Sequence, residues 1–326
     1  LKDYDTTKNV GWKPAKSGWY WVHANVKDSS GNVLSNTIAY EVKGYQISEF
    51  GFANKLEPGV PNTPRIVGQD YLGEGYTFQI LQWTGNGWSM LSTTTSVSFT
   101  PQAVNYAFSA NVYNSSGDLV DTRLLQVTPS NFMKNGWYYE AYAGKTYKFY
   151  YVDDVLQTNL DGILPQQSSY YIEVNRTTCN VTVYAQDGAN GYIIPVRTFA
   201  CSVGLPGTET PTGTYNTIAQ YRWHELMGPS YGQYCTRIVD GILFHSVAGS
   251  NMTSYNLDPN EYNKLGSPAS HGCVRLSVID AKWIYDNCPL GTTVSIFDSS
   301  NVGPLGQGPV YRIPADQNWD PTDPNI

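Results

Sequence analysis

One short run, Ser270-His271-Gly272-Cys273-Val274-Arg275, and an upstream Phe244-His245-Ser246 carry the residue types best suited to chemistry in this chain. A cysteine attacks as its thiolate, and at an ordinary pKa of about 8.5 it is mostly protonated at neutral pH. A neighbouring imidazole that takes the proton is the common activation. Cys273 is therefore the candidate nucleophile and His245 the candidate base. Gly272 permits a tight bend and close approach of a substrate carbonyl. The amides of Gly272 and Cys273 would then form an oxyanion hole. His245 ends an apolar strand, and a nearby backbone carbonyl, with Ser246 next in sequence, would take the other ring N–H and set the tautomer. A helix starting near Ser277, four residues on, would turn its positive end toward the thiolate.

Other chemistries fit less well. His245, His271 and Cys273 are zinc-ligand types, but no Cys-x-x-Cys or His-x-x-x-His spacing accompanies them. His224-Glu225 is followed by Leu-Met-Gly, so the His-Glu-x-x-His pattern fails at its last position. His224 and His23 read as structural. There is no glycine-rich phosphate loop and no paired-carboxylate pattern. The bland reading of Cys273 is a buried packing thiol.

The chain that positions these residues has 326 amino acids, enough for two or three domains. It is 41% hydrophobic and only 14% charged, with 26 Tyr and 9 Trp, a composition that favours strands and turns. The net charge of -7 and the lack of a Lys/Arg-rich run argue against nucleic acid as a partner. No apolar stretch is long enough to span a membrane, and no signal peptide is visible. The chain opens at Leu1 without Met, as a mature or truncated chain would. Its five cysteines are an odd number. Cys179 and Cys201 flank a turn-rich stretch centred on Asn190, so a cross-strand disulfide is one arrangement; Cys235 and Cys288 are a second pair, which would leave Cys273 free. Five reduced, buried thiols are the alternative.

The organisation is mainly β. The run from Tyr20 to Val33 repeats from Tyr106 to Leu119, an offset of 86 residues. Each copy alternates apolar and polar positions, turns at Ser-Ser-Gly and returns, which is a hairpin pattern. A period of this size matches one small Ig-like β-sandwich. We assign 1–46 to a partial module that begins within its fold and 47–128 to a whole one, with Tyr76–Trp83 among its strands. Residues 129–168 hold an aromatic hairpin, Gly136-Trp137-Tyr138-Tyr139 followed by Tyr147-Lys148-Phe149-Tyr150-Tyr151. It resembles a single cell-wall-binding repeat, or it is a hairpin that packs on its neighbours. Residues 169–299 form the chemical domain, with strands at Tyr170–Asn175, Cys179–Tyr184, Ile193–Ala200, Gly213–Ile218, Gly241–His245 and Thr292–Phe297. A helix is expected from the Ser277 capping position to Cys288, stopped by Pro289 and Gly291. Residues 300–326, rich in Pro, Gly and Asp, read as a surface tail.

Ser270-His-Gly-Cys-Val-Arg-Leu276, Leu243-Phe-His-Ser246 and Glu209-Thr-Pro-Thr-Gly-Thr-Tyr215 together resemble the L,D-transpeptidase (YkuD-type) catalytic domain, with the helix Asp280–Asp286 in the matching place. The resemblance implies a β-rich sandwich with its active site under a flexible flap, and no cofactor or metal. It implies bacterial, extracellular work on donor and acceptor peptidoglycan stem peptides. Cys273 would attack the carbonyl of the third stem residue, a diamino acid, and release the terminal D-Ala. A side-chain amine of another stem would resolve the thioester into a 3→3 cross-link. The resemblance gives His245 the base, the Gly272 and Cys273 backbone the oxyanion hole, and His271, Ser270 and Arg275 the lining of the site. Tyr231 or Tyr234 would bind substrate, and Ser246 stands beside the base. It also implies acylation by carbapenems. Hydrolysis of the same acyl-enzyme, an L,D-carboxypeptidase activity, is the near alternative, and a wall-binding protein with a vestigial catalytic domain the distant one. The gap of 24 residues between His245 and Ser270 is longer than the family's usual spacing and places an insertion, Met252 to Glu261, at the border of the site.

Overall fold

The computed structural model describes residue 9 and residues 11–326, and the chain divides into two compact units, Leu1–Lys134 and Asn135–Ile326. Both are mainly β, as composition and alternation predict.

In the first unit, β1 (Gly18–Lys27) and β2 (Val33–Val42) form an antiparallel ribbon of their own. β3 (Tyr45–Phe52) pairs with β4 (Pro64–Asp70). β5 (Thr77–Trp83), β6 (Trp88–Ser92), β7 (Tyr106–Tyr113) and β8 (Leu119–Val127) make a sheet in the order β6-β5-β7-β8. Tyr45, Ile47 and Ile66 of one sheet meet Ile80, Ala110 and Val112 of the other in a buried cluster. The repeated hairpins therefore have different fates. Phe108, Ala110 and Val112 are fully buried, whereas Val22, Ala24 and Val26, their counterparts in the repeat, are exposed. The local pattern makes the hairpin; burial depends on a second sheet, which only the later copy has among the described residues.

The second unit opens with β9 (Gly136–Tyr142), β10 (Lys145–Val152) and the short β11 (Val155–Leu156), a three-stranded sheet. Tyr147 and Phe149 bury one face of it with Tyr184 and Leu305. On the other, Lys148 lies over the Trp137 and Tyr139 rings and pairs with Asp187 at 2.7 Å. Next come β12 (Tyr170–Asn175), β13 (Asn180–Gln186), β14 (Tyr192–Ala200), β15 (Gly213–Asn216), β16 (Ala219–Leu226), β17 (Ser230–Val239) and β18 (Ile242–Ser246). The short helix α1 (Pro259–Tyr262), β19 (Val274–Leu276), helix α2 (Val278–Asn287) and β20 (Thr293–Phe297) complete it. One sheet runs β14-β13-β12-β20-β15 and a second β16-β17-β18-β19. Ile172, Val174, Val181, Val183 and Phe199 from the first close on Ile238, Phe244, Val274 and Leu276 from the second and on Val278, Ala281 and Ile284 of α2.

One expectation is corrected. All five cysteines are free. Cys201 N–H donates to Cys179 O at 2.8 Å, so the turn does set them opposite each other, but both thiols stay reduced and packed in the core. The tail from 300 to 326 is mostly exposed but is anchored at a few points. Leu305, Ile313, Asp320 and Asp323 are buried. Ile313 packs with Val247, Leu257, Tyr262 and Leu265, which ties the tail to the inserted segment.

Candidate active site

The site is built on β18 and β19, which run parallel with Phe244 beside Val274, His245 beside Arg275 and Ser246 beside Leu276. Alternation decides what faces where. Phe244, Val274 and Leu276 enter the core, so His245 and Arg275 emerge on the opposite face. Cys273 lies two residues before Arg275, in the turn that leads into β19.

His245 is 2% exposed. Its Nδ1 lies 2.6 Å from Ser246 O. A carbonyl only accepts, so Nδ1 carries the hydrogen and Nε2 is left as the proton acceptor. Burial pushes the imidazole pKa down to about 4, against the Ser246 bond and aided by the charges of Arg275 and His224. A Cβ on Gly232 would stand 3.0 Å from both Cβ and Nδ1 of His245, so glycine is what lets β17 close over the ring. The Cys273 thiol, half-buried, donates to Gly241 O at 3.5 Å. Burial pushes its pKa up, opposed by the Leu243 amide and by the charges on Arg275 and Arg237. The resting groups are thus a thiol and a neutral imidazole.

The 270–273 turn is held from within. Ser270 Oγ donates to Cys273 O at 2.6 Å and accepts from Gly272 N–H at 3.1 Å. Thr210 Oγ1 donates to Gly272 O at 2.7 Å and accepts from Gly204 N–H at 3.0 Å. Gly272 has φ of +115°, and a Cβ there would stand 2.8 Å from Ile242 Cδ1. Ser270 is therefore a brace, 1% exposed, rather than a substrate contact. The Gly272 amide is engaged by it, which removes that donor from the expected oxyanion hole. Arg275 is also engaged: its Nη1 pairs with Glu261 Oε2 at 2.7 Å, from the inserted segment. His271 stands exposed at the tip of the turn. Among the described residues no three of His, Cys, Asp and Glu converge on a point that would hold a metal ion.

A family model described as the L,D-transpeptidase catalytic domain matches residues 169–296, the segment that carries this geometry. A curated relative, the putative L,D-transpeptidase YciB of Bacillus subtilis (strain 168), is 32% identical over 139 residues, 40% of this chain and 67% of the relative. The chain belongs to the L,D-transpeptidase family. A fused Zn-dependent amidase/peptidase/peptidoglycan-binding domain-containing protein from Clostridium acetobutylicum is similar in structure, with 28% identity over 41% of this chain and a TM-score of 0.31. The chain spans 53% of that protein's length. An L,D-transpeptidase from Mycobacterium smegmatis aligns over 78% of this chain and 99% of its own, at 14% identity and a TM-score of 0.33.

The remaining predicted residues of this L,D-transpeptidase domain have partners within the fold. Ser246 is 1% exposed; its Oγ accepts from Gln233 N–H at 2.9 Å and donates to Val247 O at 3.3 Å, so it fixes β17 to β18. Tyr234, with φ of +50°, turns to the α2 side of the sheet. There Arg222 lies 4.0 Å over its ring and Tyr285 meets it edge-on. It is a packing residue, not a substrate contact. Tyr231 pairs its backbone with Gly249 and borders a cavity of about 20 Å³, room for a single water, with Trp223, Ser246 and Asn256. The positive end of α2 is also occupied. Ser277 caps it, Asp320 Oδ2 accepts from Val278 N–H at 2.7 Å, and Thr322 Oγ1 accepts from Ile279 N–H at 3.2 Å. Those groups, not the thiolate, complement the helix dipole.

Sequence reasoning gave no role to Thr210, Gly232, Glu261 and Asp320. Thr210 lies inside a run already singled out by resemblance, Glu209–Tyr215, but a threonine between two others carries no sign of which hydroxyl turns inward.

Proposed function

We propose that this chain is a cysteine acyltransferase that forms 3→3 cross-links between peptidoglycan stem peptides. The observation that carries the reading is the parallel pairing of β18 with β19, which sets His245 level with Arg275, two residues past Cys273, with the imidazole tautomer set by Ser246 O. As sulfur bonds to the carbonyl carbon of the third stem residue, the thiol proton passes to His245 Nε2. The C–N bond to the terminal D-Ala then breaks, and the imidazolium returns the proton to the departing amine. In the second half, the side-chain amine of an acceptor stem bonds to the thioester carbon. Its proton travels through His245 to the leaving sulfur, and the thiol is restored. Because the thiol is held up and the imidazole down, proton transfer accompanies attack rather than preceding it. The amide of Cys273 and the exposed His271 are the groups at the turn positioned to meet the oxyanion and the substrate. Work on such a substrate places the protein outside the cell, at the bacterial wall.

The test is a mixture of the enzyme with a disaccharide-tetrapeptide, read by intact mass and product analysis. A thioester adduct on Cys273 and a cross-linked dimer are expected. Tripeptide without dimer would replace transfer by hydrolysis, the carboxypeptidase reaction. No adduct with either the peptide or a carbapenem, on a reduced thiol, would mark the domain as vestigial.

A further inference from the structure

Two guanidinium groups bring positive charge to Cys273, and they differ in one respect. Arg275 is neutralised by Glu261. Arg237, in β17, has no carboxylate partner among the described residues.

Arg237 is tied close to the nucleophile by the backbone. It pairs with Leu243 across β17 and β18, and the adjoining register, Phe244 beside Val274, sets Leu243 level with Cys273. Arg237 and Leu243 therefore share a face of the sheet, and the Leu243 amide acts on the Cys273 thiol. The turn between β17 and β18 holds both the guanidinium and the thiol. Arg237 Nη1 donates to Asp240 O at 2.7 Å, and the Cys273 thiol donates to Gly241 O, the next carbonyl, at 3.5 Å. The other side of the guanidinium is fixed as well. Nη2 lies 3.3 Å from His224 Nε2, and His224 stacks on Tyr221 with 4.3 Å between centroids. Burial and the Arg237 charge hold the His224 pKa below its ordinary value, so His224 is neutral and accepts the bond. Arg237 Nε–H is buried and has no partner. The guanidinium is thus held in a preset plane by Asp240 O and His224 with no carboxylate among the described residues to offset its charge, a place that a ligand anion would fill.

We infer that Arg237 is the anion-binding residue of the site, and that it takes the free carboxylate at the end of the donor peptide. The inference rests on the acyl-transfer reading above. In that reaction the bond broken lies one residue before a carboxylate, and a planar guanidinium beside the thiol offers the matching fork. Arg237 thereby selects donors with a free chain end, while His224 and Tyr221 are positioning residues that hold its plane.

The test uses the full chain carrying Cys273→Ala, which binds without turnover. A stem tetrapeptide with a free C-terminus is compared with its C-terminal amide by calorimetry. The acid is expected to bind about tenfold more tightly. Arg237→Gln in the same background should erase that preference by weakening the acid alone, and Arg237→Lys should keep part of it. Equal or absent binding of acid and amide overturns the inference, as does a preference that survives Arg237→Gln. Should Arg237→Gln not fold, the comparison of acid with amide in the parent and in Arg237→Lys decides. The acyl-transfer reading fails separately, through a wild-type protein that binds the acid selectively but forms no thioester.

Discussion

The two walls flanking Cys273 use their polar groups differently. On the β19 side nearly every group that the sequence motif offers is engaged by the fold. Ser270 Oγ and the Gly272 amide bond each other, Thr210 holds the Gly272 carbonyl, and Arg275 pairs with Glu261. On the β17 side, outside the motif, Arg237 keeps a buried N–H without a partner. The residues most recognisable in the sequence build the platform for the thiol. A group able to seize substrate comes from a strand that carries no motif. Substitutions on the β19 wall should therefore move stability and rate together, and those on the β17 wall should move substrate preference.

The largest effect tests what both walls serve. Cys273→Ala should abolish acylation, and because the thiol is half-buried and its bonds to the Gly241 carbonyl and the Leu243 amide are weak, unfolding should barely change. His245→Ala should slow acylation about 100- to 10,000-fold, the usual range for a lost general base. An adduct that forms at the wild-type rate in His245→Ala would remove the base from the mechanism.

Much of this site was legible, and for a physical reason. The apolar run put His245 at the end of a strand, and it is the next-to-last residue of β18; the Ser277 cap and the Pro289 stop bracketed α2, found at Val278–Asn287 with Ser277 and Cys288 as its caps. These are local signals. What stayed hidden depends on groups far apart in the chain. Asp320 reaches Val278 across 42 positions, and Glu261 reaches Arg275 from a four-residue helix too short to show a period. Tyr234, predicted to bind substrate, packs in one cluster with Ile238 and Ile284 instead, and no residue-type rule marks it. The inward turn of the Ser270 hydroxyl is equally silent, since serine at a turn serves substrate or backbone alike.

The next effect is on acid stability. His245 is held at about 4 in the fold against about 6.5 when unfolded. The unfolded chain binds the extra proton between those values. The stabilising contribution is complete above about pH 6.5 and is lost as pH falls to about 4, on the order of 3 kcal/mol. Asp280 opposes it: burial raises its carboxyl from 3.8 to about 6, so the fold favours the protonated form and loses that contribution as pH rises through this range. Comparison with His245→Gln, which keeps Asp280, isolates the histidine. The difference in unfolding free energy between the two proteins should change by about 3 kcal/mol from pH 7 to pH 4. A difference independent of pH would mean that His245 is not buried neutral.

Ser270→Ala comes next. It removes an acceptor from Gly272 N–H and a donor to Cys273 O at a site 1% exposed. The cost should be about 1–3 kcal/mol in denaturant unfolding, with acylation slowed in parallel because the turn carrying the thiol loosens. Loss of rate with no loss of stability would make Ser270 a substrate contact after all.

The smallest effect makes one wall resemble the other. Glu261→Gln leaves Arg275 without its carboxylate, as Arg237 is now. The pair is partly exposed, so stability should fall by no more than about 1 kcal/mol. The thiol is a finer probe, because the Arg275 charge already acts to lower the Cys273 pKa. With Glu261 gone that charge is no longer offset, and the midpoint of iodoacetamide alkylation against pH should move downward. Arg237→Gln should move it upward, since the β17 wall loses its cation. Two shifts of opposite sign follow if each wall acts through the charge it presents to the sulfur. Shifts of the same sign, or none in Glu261→Gln, would mean that solvent screens the β19 wall from the thiol and that the two walls differ in geometry alone.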